Sequence, residues 1–245
     1  MRISVVSYLN SKPFIYGLEK NPDPEWNISL DMPSECARKL IASEADLGLV
    51  PVAALLSVPG YHLVSPYCIS ASGKVDSVKL YSEVALSEIE NVLLDYQSRT
   101  SVNLAQILAR ELWKISPKWT PAEPGFESKV SGRTAAVVIG DRTFSMNGRY
   151  KFEYDLSECW QQLTGLPFVF AVWASKVRVS SEFEEQFSAA LRYGVANIGE
   201  VVKINASTYH GTDIERYLTH SISYRLDYEK EKAIELFLLK MSMNA

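Results

Sequence analysis

The run Thr134–Ile139, TAAVVI, shows no polar face after its first residue. A strand of that kind needs cover on both sides. Short apolar strands separated by helix-period segments build a mainly parallel sheet between layers of helices. The same alternation recurs along the chain. Arg2–Leu9 reads as a strand, followed by a polar turn and by Pro13, a residue suited to the first turn of a helix. Pro33-Ser34-Glu35 opens a second helix to about Ser43, and Ala45–Pro51 is a buried strand closed by proline. Ser77–Tyr81 and Asn91–Asp95 read as strands. Thr100–Lys114 reads as an amphipathic helix with Leu104, Ile107, Leu108 and Leu112 on one face. Asp155–Thr164 is helix-like, and Phe168–Trp173 is one more apolar strand.

The last third changes character. Ser181 and Glu184 have capping-box spacing, and Phe183, Phe187, Ala190, Leu191, Gly194 and Ile198 recur at helical intervals. Two further helices are expected near Asp213–Ser221 and Tyr228–Met241. A helical tail after an α/β middle suits a chain that crosses to a second lobe and returns. The expected division is residues 1–80 with 171–245 in lobe 1 and 81–170 in lobe 2, with Pro117–Glu127 joining elements inside lobe 2.

A net charge of −4 is spread along the chain, which leaves no basic footprint for nucleic acid or an anionic membrane. No stretch reaches the roughly 18 apolar residues of a membrane span. The opening MRISVVSYLN turns polar too early for a signal-peptide core. Cys36, Cys68 and Cys159 are far apart, with no metal-ligand spacing, so reduced structural thiols and a cytoplasmic location are expected.

In open α/β sheets ligands bind beyond the carboxyl ends of strands. Three polar loops occupy such places: Ser7–Asn10, Ser98–Ser101 and Gly140-Asp141. The second opens a helix, where unpaired N–H groups and three hydroxyls make an anion cradle or a simple N-cap. Asn10 equally suits a turn, and Asp141 a cap or a pair with Arg142. Ser70–Lys74 lacks the spacing of a phosphate loop, and His62, His210 and His220 fall outside all three loops. The residues alone point to a two-lobed binder of a small anion.

Six segments in order, SYLNSKPFIYGL (7–18), ADLGLVPVAAL (45–55), SGKVDSVKLYS (72–82), LDYQSRTSVNLAQIL (94–108), VVIGDRTF (137–144) and DLSECWQQLTGLPFVFAVW (155–173), resemble the chorismate dehydratase family. The resemblance implies a two-lobed type II periplasmic-binding-protein-like α/β fold with the active site in the cleft. It implies loss of water from chorismate to give 3-[(1-carboxyvinyl)oxy]benzoate, with no metal or organic cofactor. It carries Asn10 as the residue that orients substrate or stabilises charge on its ring carboxylate, with Tyr8 beside it. Ser77 and Ser72 would line the hinge side, and Ser98, Arg99, Thr100 and Ser101 would hold a carboxylate. Asp141 would position those hydroxyls or meet the leaving hydroxyl, and Trp173 would pack either on the ring or in the core. The substrate's own enolpyruvyl carboxylate is the expected base. The competing readings are dihydroxynaphthoate synthase, whose glycine- and proline-rich opening is replaced here by SYLN, and a non-catalytic anion-binding module of the same fold. Closure of the lobes over the ligand is expected.

Overall fold

The computed structural model describes residues 1–243. Its first sheet is built from β1 (Arg2–Val6), β2 (Asn27–Asp31), β3 (Leu47–Pro51), β4 (His62–Ala71), β10 (Phe168–Ser175) and β11 (Ser223–Arg225). They lie in the order β11-β4-β10-β3-β1-β2. The second holds β5 (Val78–Ser82), β6 (Asn91–Leu94), β7 (Lys118–Pro121), β8 (Thr134–Ile139) and β9 (Phe152–Asp155), ordered β7-β6-β8-β5-β9. Both sheets are mixed, which corrects the expectation of mainly parallel pairing. β1 runs parallel to β2 and β3, but β10 enters between β3 and β4 antiparallel to both. The reason is the route of the chain: it leaves the first sheet after β4 and re-enters from the far side.

The helices are α1 (Lys12–Lys20), α2 (Pro33–Ile41), α3 (Arg99–Leu108), α4 (Leu156–Thr164), α5 (Ser181–Ala196), α6 (Ile198–Asn205), α7 (Ile214–Arg216) and α8 (Tyr228–Ser242). α3 runs on into a π-helical turn over Ala109–Trp113, and α7 into another over Tyr217–Ser221. Ser180, one residue before the expected capping serine, caps α5 by accepting from Phe183 N–H at 3.2 Å. The proline-rich stretch contributes β7, an edge strand, where Pro121 interrupts no interior ladder.

Helix α1 positions the first polar loop. Pro13 opens it, and Phe14, Ile15 and Leu18 face inward. Its outer neighbour α5 comes unusually near: a Cβ on Gly194 would stand 1.8 Å from the Pro13 carbonyl oxygen, and one on Gly17 2.1 Å from that of Ala190. Beneath them Trp173 meets Phe14 and Phe187 edge-on, with centroids 5.8 and 4.9 Å apart. Each such pair adds about 1 kcal/mol beyond the area it buries.

Two strands of chain join the sheets, one between Ala71 and Val78 and one between Asp155 and Phe168. Asp155 ties them together. One carboxylate oxygen accepts from Val75 and Asp76 N–H at 3.0 and 2.8 Å, and the other caps α4 through Ser157 and Glu158 N–H. Burial raises its pKa, offset by those backbone donors.

Candidate functional site between the sheets

A cavity lies where the two sheets face each other, a common place for a small-molecule site. Its walls are mostly apolar. Val6, Leu49, Ile69 and Ala171 come from the first sheet, and Val78 and Ile139 from the second. The polar groups gather where two helices begin: Asn10 and Ser11 ahead of α1, and Ser98, Thr100 and Ser101 at the start of α3. No residue lining it among those described carries a full charge. An anion held here would therefore be met by hydroxyl and amide groups and by the first turn of α3 rather than by a charged side chain. Such a lining suits a small anion with an apolar body.

The structure brings six of the ten expected site residues to this cavity: Tyr8, Asn10, Ser77, Ser98, Thr100 and Ser101. Ser98 is the N-cap of α3 and accepts from Ser101 N–H at 2.9 Å. The Thr100 hydroxyl accepts from Ala53 N–H at 3.1 Å, so it reaches across to the first sheet's side. The Ser77 hydroxyl accepts from Tyr217 OH at 2.8 Å. The Asn10 amide oxygen accepts from the Ser11 hydroxyl at 3.1 Å.

Asp141 stands at the edge rather than in the wall. Its carboxylate accepts from Leu9 N–H at 3.1 and 3.2 Å and from Tyr209 OH at 2.7 Å. Burial raises its pKa, while Tyr209, Leu9 N–H and the charge of Lys12 pull it back. The other three do not line the cavity. Ser72 and Arg99 are exposed, because the loop and the first turn of α3 present them outward. Trp173 is fully buried under α1 and α5, and its indole N–H has no partner. Its large apolar surface serves the helix–sheet packing.

Several contributors were not foreseen. Tyr217 is fully buried, and burial raises its pKa against hydrogen bonds with Ser77 and Asn10. Behind the α3 turn, the buried Asp95 carboxylate accepts from Ile139 N–H, Gln97 N–H and Arg142 at 3.0, 2.9 and 2.5 Å. The Gln97 amide oxygen accepts from Arg142 at 3.1 Å and also from the Tyr8 hydroxyl. The Tyr8 ring lies on Gly140, where an added Cβ would stand 2.9 Å from it and where φ is +70°. Only glycine meets both demands. Tyr209 and Tyr217 carry no local motif, and their helical surroundings read simply as packing.

Comparison with known proteins follows the same lines. A family model described as "Menaquinone biosynthesis" matches residues 1–242. A chorismate dehydratase of Thermus thermophilus is 28% identical over 228 residues, 84% of this chain and 83% of that one. A protein of Archaeoglobus fulgidus of known structure has a TM-score of 0.75 at 16% identity, covering 99% of this chain and 96% of its own. The alkanesulfonate-binding protein SsuA of Xanthomonas axonopodis pv. citri, bound to MOPS, has a TM-score of 0.65 at 15% identity over 98% of this chain and 92% of its own. A Candida albicans protein described as having the generic periplasmic binding protein fold has a TM-score of 0.66 at 10% identity, covering 99% and 90%. The fold is therefore the two-lobed periplasmic-binding-protein type, with the cavity between its lobes.

Proposed function

The chain belongs to the menaquinone-biosynthesis family, and on that premise we propose that it is a chorismate dehydratase, releasing water from chorismate to give 3-[(1-carboxyvinyl)oxy]benzoate. The observation that carries this reading is the lining of the cavity: an apolar slot with amide, hydroxyl and helix-end groups and, among the described residues, no charged side chain. Chorismate is a compact ring with two carboxylates. One carboxylate is assigned to the α3 start, among Ser98, Thr100 and Ser101, and the ring carboxylate to Asn10 with Ser77.

The elimination removes the ring C3 proton and the C4 hydroxyl. The C3–H electron pair becomes a ring double bond as the C4–O bond breaks, and proton and hydroxide leave as water. Aromatisation drives the step. Among the described residues lining the cavity, Tyr8 alone has a side chain that titrates, and burial raises its pKa, so it stays protonated near neutrality. Asp141 has its oxygens engaged by Leu9 and Tyr209. Both facts favour the substrate's enolpyruvyl carboxylate as the base, with the protein supplying orientation and electrostatics. The reading calls on no metal or organic cofactor and places the reaction in the cytoplasm.

The test is direct. Purified, chelator-treated protein is mixed with chorismate and followed by ultraviolet absorbance and mass spectrometry. A new aromatic species lighter by one water is the expected outcome. Unchanged chorismate together with a thermal shift would replace this reading by a non-catalytic anion-binding module, the role in which the sulfonate-binding neighbour is named.

A further inference from the structure

At the turn Gly140–Ser145 the second lobe meets separate pieces of the first. The Tyr8 ring covers Gly140, and Leu9 N–H binds the Asp141 carboxylate. From the C-terminal helical region Tyr209 binds Asp141 at 2.7 Å, while its ring meets Phe144 edge-on at 6.3 Å. Phe144 in turn packs edge-on against Tyr217 at 5.0 Å. The donors on Asp141 thus come from the opposite lobe. One of them, Leu9 N–H, opens the short turn Leu9–Ser11 that carries Asn10.

We propose that Tyr209 is a positioning residue for the reaction: its hydrogen bond to Asp141 closes the cleft and fixes the Leu9–Ser11 turn, and with it Asn10, against the substrate. The proposal takes its substrate from the dehydratase reading, whereas the closure itself belongs to the chain. A hydrogen bond to an ionised acceptor is stronger than one to a neutral acceptor, so the latch holds best with Asp141 charged. The groups acting on that charge are Tyr209 and Lys12 with Leu9 N–H, while Tyr8 and Tyr217 feel it in turn. Removing the Tyr209 hydroxyl takes away a donor that favours the carboxylate. The Asp141 pKa then rises further, and the remaining Leu9 N–H contact to the charged carboxylate is lost at a higher pH than in the parent protein.

Tyr209→Phe keeps the ring against Phe144 and so keeps the local packing. The expected result is a fall in kcat/KM for chorismate of about tenfold, the worth of one charge-assisted hydrogen bond, with the acid limb of the pH profile moved upward. In an Asp141→Asn background the same change is expected to add no further loss. Losses that multiply, or an acid limb that stays in place, overturn the proposal. Small-angle X-ray scattering of the ligand-free protein reads closure without chemistry. Both single variants are expected to be more open than the parent, and superimposable profiles likewise overturn it. A parent protein that leaves chorismate unchanged while the variants still open removes the dehydratase reading and leaves the latch standing.

Discussion

Behind the first sheet, Gly17 and Gly194 bring the backbones of α1 and α5 together; at the mouth of the cleft, Gly140 brings a backbone against the Tyr8 ring. The two contacts use the same device for opposite ends. The first is surrounded by Phe14, Phe187 and Trp173, all fully buried, and separating it would expose a large apolar surface to water. The second is flanked by hydrogen bonds, from Tyr8 to Gln97 and from Leu9 and Tyr209 to Asp141. Water can replace those at a net cost of about 1 kcal/mol each. The comparison separates what must stay rigid, the base of the turn that carries Asn10, from what must open to admit substrate.

The largest effect expected within this comparison is on chemistry. Asn10→Ala should lower kcat by roughly 10²- to 10³-fold, the range for losing one preorganised donor, while thermal melting stays where it is. Next comes Gly194→Ala. Its new methyl group would press on the Pro13 carbonyl, and overpacking of this sort costs about 3 kcal/mol. That corresponds to a melting temperature lower by roughly 6–12 °C for a chain of this length. A smaller effect is expected for Gly140→Ala, with about 1–2 kcal/mol of left-handed backbone strain. Here weakened chorismate binding should outrun the loss of melting temperature, because the collision is with a ring across the cleft. Equal binding and stability losses in both glycine variants would erase the distinction. The smallest effect is Trp173→Phe. It should change stability by less than about 1 kcal/mol, since the indole N–H it removes has no partner, and leave KM for chorismate unaltered. A clear rise in KM would return Trp173 to the substrate's surroundings.

The parts legible in the sequence are those set by local pattern. The TAAVVI strand, the hydroxyl-rich start of α3 and the proline-led starts of α1 and α2 stand where their residues indicate. The mixed sheets were not legible, because direction depends on the route of the chain and not on the strand's own residues. β4 is interrupted by Pro66 and mixes Ser and His into its alternation, so it gives no clean period. At the cavity, neighbours within one motif part company. Arg99 lies between Ser98 and Thr100 yet points outward, since successive positions on a helix turn face different ways. Tyr209 and Tyr217 were missed for the converse reason. They lie more than sixty residues from the groups they touch, and no spacing rule joins positions so far apart.

In the dehydratase reading helix beginnings supply part of the cavity's attraction for an anion, since none of its lining residues among those described is a lysine or arginine. A main-chain N–H is supplied by every codon except those for proline. Replacing Asn10 or Ser77 would then weaken that recognition, while the main-chain share persists as long as the helices stay in place. In that reading the grip on a carboxylate is divided between the path of the backbone and a few amide and hydroxyl side chains, and the apolar lining residues are left to follow ring shape.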